Sequence, residues 1–193
     1  MSHNTQAINK TRQNLSEFEE IWLFGYGSLI YKVDFPILDQ SQAYIQGWTR
    51  RFWQGSHDHR GTPEKPGRVL TLINAPDEIC HGMAYRVSHE VFDHLDHREK
   101  NGYLRFETDL VFNSKKTIKG LVYIAPEDND AFLGPASEQQ IAQHIFNSKG
   151  PSGENKEYVL KLAKALRQLN LVDSHVFAIE TWLNQFETET QNN

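Results

Sequence analysis

A short apolar run, Leu23-Phe24, opens into Gly25-Tyr26-Gly27-Ser28 and closes on Leu29-Ile30. Glycine lets a backbone turn with positive φ and approach another group closely. A strand that breaks here can leave several backbone N–H groups converging on one point, and such a nest binds an anion or an oxyanion. The same residues also fit a strand and a tight turn with no ligand. The second chemical candidate is Glu99. Val91, Phe92 and Leu95 form an apolar stripe at helical spacing, and Glu99 falls on that stripe four residues after Leu95. Gly102 suits the position just past a helix end. A carboxylate on the buried side of a helix's last turn has its pKa raised by desolvation and by the negative end of the helix dipole, which suits a general base working near neutral pH. The alternative is a Glu that leaves the stripe as the helix frays and pairs with Arg98 or Lys100.

Other residues invite chemistry less strongly. His57, His59, His94 and His97 suggest a metal, but no HExxH arrangement or Cys-rich cluster accompanies them. Gly25 and Gly27 are not a dinucleotide fingerprint, because Ile30 stands at the third glycine position. The single cysteine, Cys80, lies in a strand pattern and reads as a small core residue. Arg50, Arg51, Arg60 and Arg68 form the one basic grouping. Most of them read as partners for the chain's excess carboxylates; Arg51 is the best candidate to meet a carboxylate of an acidic substrate.

Both candidates need elements to hold them. Strand patterns cover Ile21–Gly25, Gln42–Trp53, Val69–Ile73, Ile79–Val87, Tyr103–Phe112 and Thr117–Ala125. His57 to Gly67 is a polar loop rich in Gly and Pro. The last third is helical. Ser137 and Gln140 have the form of a capping box ahead of Ile141, Ile145 and Phe146. Ser152 would cap a helix carrying Tyr158, Val159, Leu162, Ala163, Leu166 and Leu169, and Asp173 one carrying Val176, Ile179, Leu183 and Phe186. Strands first and helices after predict an α+β fold rather than an alternating parallel sheet.

Of the 193 residues, 38% are hydrophobic and 11% aromatic, enough for a core without disulfides. The net charge of -5 argues against broad nucleic-acid binding. Residues 1–20 read as a flexible extension without a secretory signal, 21–187 as the folded domain and 188–193 as a frayed tail. No apolar run approaches the roughly 20 residues of a membrane span, so a soluble, cytoplasmic protein is expected.

Several blocks resemble the ChaC-type γ-glutamylcyclotransferases. They are Phe24-Gly25-Tyr26-Gly27-Ser28-Leu29-Ile30 with its continuation to Pro36, Arg50-Arg51-Phe52-Trp53-Gln54-Gly55-Ser56, Asp58-His59-Arg60-Gly61, Lys65-Pro66-Gly67-Arg68, Arg98-Glu99-Lys100-Asn101-Gly102-Tyr103 and Phe132-Leu133-Gly134-Pro135. Gly150-Pro151-Ser152-Gly153 with Asn155, Glu157 and Tyr158 completes the set. Tyr31, His57 and Phe132 depart from the usual Trp, Thr and Tyr, and the first twenty residues extend beyond the usual start. The resemblance implies a compact mixed β-barrel with helices packed around it, and cleavage of glutathione to 5-oxoproline and cysteinylglycine without metal or organic cofactor. It also implies that Glu99 is the catalytic glutamate and that Leu23, Phe24, Gly25, Tyr26, Gly27 and Ser28 form the substrate loop, with backbone N–H groups as far as Leu29 expected to hold the substrate. Tyr103 is then expected to place a phenol near the site. Oligomeric state is left open.

Overall fold

The computed structural model describes residues 4–18 and 20–192; the portions of the expected extension and tail at 1–3, 19 and 193 lie outside the described residues. Five strands, β1 (Ile21–Gly25), β2 (Asp39–Ser56), β3 (Gly67–Val87), β4 (Leu104–Phe112) and β5 (Thr117–Ile124), close into a barrel in the order β1-β3-β2-β4-β5. β1 pairs antiparallel with β3, Leu23 opposite Tyr85, and parallel with β5, Leu23 opposite Leu121. With a neighbour on each side, every residue of β1 is buried, as its unbroken apolar run requires. The helices are α1 (Gln6–Arg12), α2 (Phe92–Arg98), α3 (Glu138–Phe146), α4 (Asn155–Gln168) and α5 (Ser174–Gln191). The α+β mixed barrel with mainly C-terminal helices is as expected.

By its internal contacts the chain divides into two compact units, one of residues up to Arg50 with Leu72–Asp130, the other of Arg51–Thr71 with Ala131 onward. β2 and β3 run through both boundaries. The first unit holds β1, β4, β5, α1 and α2 around Leu23, Phe24, Leu95, Leu110 and Leu121, all at 1% exposure or less. Trp22 meets Phe112 edge-on at 5.0 Å.

The second unit packs α3, α4 and α5 on one another. Ser137 and Gln140 form the expected capping box, and Asp173 caps α5 by accepting from the Val176 N–H. Ile141, Ile145, Val159, Leu162, Leu166, Val176 and Ile179 are fully buried. Ser152 is not a cap: α4 starts after Glu154, and Ser152 contacts the His59 ring instead. His175, at the start of α5, is buried between two partners. Its Nε2 accepts the Phe52 N–H at 3.1 Å, which leaves the ring proton on Nδ1, 3.3 Å from Glu138 Oε1. Burial lowers the His175 pKa from 6.5, more than the Glu138 contact raises it.

Three further expectations are corrected. Val69–Ile73 and Ile79–Val87 are not separate strands but parts of the 21-residue β3. Pro76, between the two segments, lies on a stretch exposed to solvent where a missing N–H is tolerated. Residues 6–12, read as flexible, form a helix whose Asn9 is fully buried. α5 continues to Gln191, through residues read as a frayed tail.

A histidine with a lowered native pKa lets the unfolded chain bind the extra proton, so stability from His175 is present above pH 6.5 and is lost as pH falls through the lower native value. His175→Gln keeps an acceptor for the Phe52 N–H and removes this titration. Thermal melts between about pH 5 and 8 should therefore show a shallower acid-side loss of Tm in the variant than in the parent.

Candidate active site

The loop leaving β1 turns back sharply on itself. A Cβ on Gly25 would stand 2.7 Å from the Leu29 Cβ and 3.3 Å from the Tyr85 ring. Gly25 is therefore required by the fold of the loop itself, not only by a ligand. Gly82 on β3 is equally constrained, with its Cβ position 2.3 Å from the Gly25 carbonyl. Ser28–Ile30 then form one 3₁₀ turn, closed by Ile30 N–H to Gly27 O at 2.9 Å and followed by Lys32 N–H to Ser28 O at 2.8 Å.

Two buried phenols anchor the loop from below. Tyr85 Oη donates to Leu29 O at 2.6 Å, and Tyr26 Oη donates to Tyr123 O at 2.8 Å. Burial pushes the Tyr85 phenol up to about 12, which keeps it a neutral donor.

Glu99 arrives from α2. Phe92 and Leu95 bury the apolar stripe as expected. The helix ends at Arg98, however, so Glu99 is its C-cap, its N–H still bonded to Leu95 O at 2.8 Å. Its side chain is 17% exposed, and Oε1 lies 3.2 Å from Arg98 Nε. The Arg98 guanidinium is itself fixed on the loop. Nη2 donates to Ser28 Oγ at 2.8 Å, and Nη1 to Asp34 Oδ1 at 2.5 Å and to Lys32 O at 3.3 Å. Burial alone would raise the Asp34 pKa, but Arg98 and then His94 outweigh it and hold the carboxyl below its usual 3.8. Asp34 is thus ionised and bridged to Arg98 across the working pH range. One guanidinium joins the carboxylate at the helix end to the glycine loop.

The strand thus breaks into a glycine turn, and an arginine ties a carboxylate to that turn. The family profile described as ChaC-like protein matches residues 21–186. The chain belongs to the ChaC-like protein family. Among its relatives are Gamma-glutamylcyclotransferase 2-3 of Arabidopsis thaliana, 41% identical over 89% of this chain and 92% of that one. Glutathione-specific gamma-glutamylcyclotransferase 1 of Danio rerio is 42% identical, over 84% of this chain and 88% of its own. A yeast structure, described as a γ-glutamyl cyclotransferase specific to glutathione, superposes with a TM-score of 0.81 at 32% identity, covering 86% of this chain and 96% of that one.

Within this ChaC-like chain, the residues singled out from sequence play different parts. Leu23 and Phe24 are paired β1 residues in the core, and the side chains of Tyr26 and Leu29 are also buried. Of these residues only Ser28 is partly exposed. Tyr103 follows Glu99 by four residues, half-buried, with its carbonyl held by Thr5 Oγ1 at 2.7 Å and Asn9 Nδ2 at 3.0 Å. Arg51 belongs to the second unit, where its charge bears on Glu138 and His175.

The other basic residues have structural partners. Arg50 reaches Cys80 Sγ and His81 O, Arg60 the Glu154 carbonyl and Glu157, and Arg68 the carbonyls of Phe52 and Gly134. Cys80 is buried, as read. Among the described residues no group of three or more His, Cys, Asp and Glu is placed to hold a metal ion.

The pairing of Glu99 with Arg98 is the one that the alternative reading of this carboxylate named. One residue was missed. Asp96 lies four residues after Phe92, on the same stripe, and at 2% exposure it is the carboxylate that α2 truly buries. Burial raises its pKa, against the pull of a Tyr123 Oη bond at 2.6 Å and the Arg105 guanidinium at 3.2 Å.

Arg98→Ala removes the bridge and should lower kcat/KM by at least about tenfold, with steady-state kinetics as the measure. Arg98→Lys keeps charge but not the fork and should recover only part of the loss. Gly25→Ala must push Leu29 away and should cost about 1–3 kcal/mol in a denaturant titration.

Proposed function

We propose that this protein is a γ-glutamylcyclotransferase that cleaves glutathione into 5-oxoproline and cysteinylglycine, with Glu99 as its general acid and base. The observation that carries the reading is the Glu99 carboxylate bridged through Arg98 to the loop after β1. Membership of the ChaC-like family and relatives named for glutathione support the substrate.

In this mechanism the α-amine of the substrate's own γ-glutamyl group attacks its γ-carbonyl carbon. A five-membered lactam forms as the bond from that carbon to the cysteinyl nitrogen breaks. The α-ammonium gives up two protons on becoming the lactam N–H, and the leaving nitrogen gains two on becoming an ammonium. One carboxylate between the two nitrogens can move them in both directions. No electron changes hands and no water is consumed, so the reaction needs no cofactor. Because the nucleophile is tethered, the protein's main task is to fix the folded conformer. The backbone of Gly25 to Leu29 would hold the α-carboxylate or the developing oxyanion, with Ser28 Oγ and the Tyr103 phenol beside it.

Among the described residues no helix is long and apolar enough to cross a membrane. The one cysteine is reduced and buried, which together with a thiol substrate fits the reducing cytoplasm as its compartment.

Glu99→Gln is isosteric and cannot carry the protons. It should fold as the parent does and lose about 10²- to 10⁴-fold in 5-oxoproline release from glutathione, scored by mass. Near-normal release by that variant would sink the assignment. Parallel assays with γ-glutamyl dipeptides measure how far the activity extends beyond glutathione.

A further inference from the structure

α1 is a helix with an unusual anchor. Its only buried residue is Asn9, a polar one, while Ile8 is 51% exposed. A helix attached through a fully buried amide is held by hydrogen bonds and not by apolar area, and the bonds show where it acts. Asn9 Nδ2 donates to Tyr103 O at 3.0 Å and Asn9 Oδ1 accepts from the Arg105 N–H at 2.9 Å, while Asn9 O accepts from Arg105 Nη2 at 2.7 Å. Thr5 N–H donates to Lys100 O at 2.8 Å, and Thr5 Oγ1 reaches both Lys100 O at 3.1 Å and Tyr103 O at 2.7 Å. Asn4 forms a β-bridge with Asn101. Past the helix, Gln13 contacts Arg105 at both its carbonyl and its Nε.

All these partners lie within Lys100–Arg105, the six residues that follow Glu99. Lys100 to Tyr103 belong to no strand or helix, and Gly102 there has a φ of 88°. Such a segment lacks a ladder of its own to fix its path. On the other flank of Glu99, Asp96 is gripped by Arg105, whose guanidinium also bonds the α1 backbone. Both chain segments leading to the Glu99 carboxylate are thus held through the N-terminal helix.

We propose that α1 is a strap that sets the position of Glu99, with Thr5 and Asn9 as positioning residues acting through the main chain of Lys100–Arg105. The proposal rests on the reading of Glu99 as the general acid and base. The hydrogen bonds of both residues go to Lys100–Arg105 and not to the loop after β1, so loosening the strap acts on the carboxylate and on Tyr103 next to it and leaves the loop's own hold on substrate in place.

The test uses Thr5→Val, Asn9→Ala and Thr5→Ser, with Glu99→Gln alongside, assayed on glutathione well below each variant's melting temperature. Thr5→Val and Asn9→Ala should each lower kcat by about tenfold or more, as small displacements of a catalytic group do. KM should change less than kcat does, and Thr5→Ser, which keeps the hydroxyl, should retain the parental kcat. Parental kcat in both Thr5→Val and Asn9→Ala, with Glu99→Gln inactive, overturns the strap and leaves the Glu99 reading standing. A loss that tracks only the fraction of folded protein overturns it equally. An active Glu99→Gln brings down the reading beneath it instead.

Discussion

An ion pair out of reach of water organises the first unit. Asp96 and Arg105 expose 3% and 1% of their side chains, and a buried carboxylate or guanidinium with any hydrogen-bonding capacity unmet is strongly destabilising. The surrounding elements are arranged to prevent that. Tyr123 of β5 donates to Asp96; Asn9 and Gln13 accept from Arg105; the Arg105 guanidinium also lies 5.0 Å from the centre of the Phe92 ring. Tyr123 in turn offers its carbonyl to Tyr26, the residue between the two loop glycines. One pair of charges therefore fixes α1, α2, β4, β5 and the glycine loop relative to one another. Burial and the Asp96 contact together raise the Tyr123 pKa, so the phenol remains a donor throughout.

Arg98 is a second, more exposed tie, and its job differs. Asp96 and Arg105 fix the body of α2, whereas Arg98 fixes its end. A planar guanidinium can hold Ser28, Asp34 and Glu99 at once because its donors diverge in one plane. The site thus combines a stiff foundation with a bridged rim. That suits the proposed reaction, in which the nucleophile and the electrophile belong to the same substrate molecule and geometry is the main thing to supply.

Local patterns were the legible part of this sequence. β1, the Ser137 capping box, the Asp173 cap and the buried stripe of α2 could all be read from neighbours a few residues apart. Glu99 and the glycine loop could be named, because each carries its own signal. Their junction could not, since Arg98 meets Ser28 and Asp34 across more than sixty positions. Asn9 was hidden for the same reason: an Asn in a polar stretch looks solvated until Tyr103 and Arg105 close around it. β3 read as two strands because the polar stretch between them, with Pro76, joins the strand only where its exposed side faces solvent. Ser152 had the right residue type for a cap and was diverted by His59. In each case the deciding partner was distant in the chain.

The parallel pairing of β1 with β5 has a consequence for how the molecule comes into being. β1 is among the first elements synthesised, yet the strand that covers its second edge starts at Thr117. Until then an all-apolar strand has an open edge, with the cost of closing so long a loop still ahead. The glycine turn takes its shape from Tyr85 and Tyr123, both of which emerge long after it. The glycine turn, made early, therefore becomes ordered late, and a nascent chain of this protein is most exposed to aggregation before β5 has arrived.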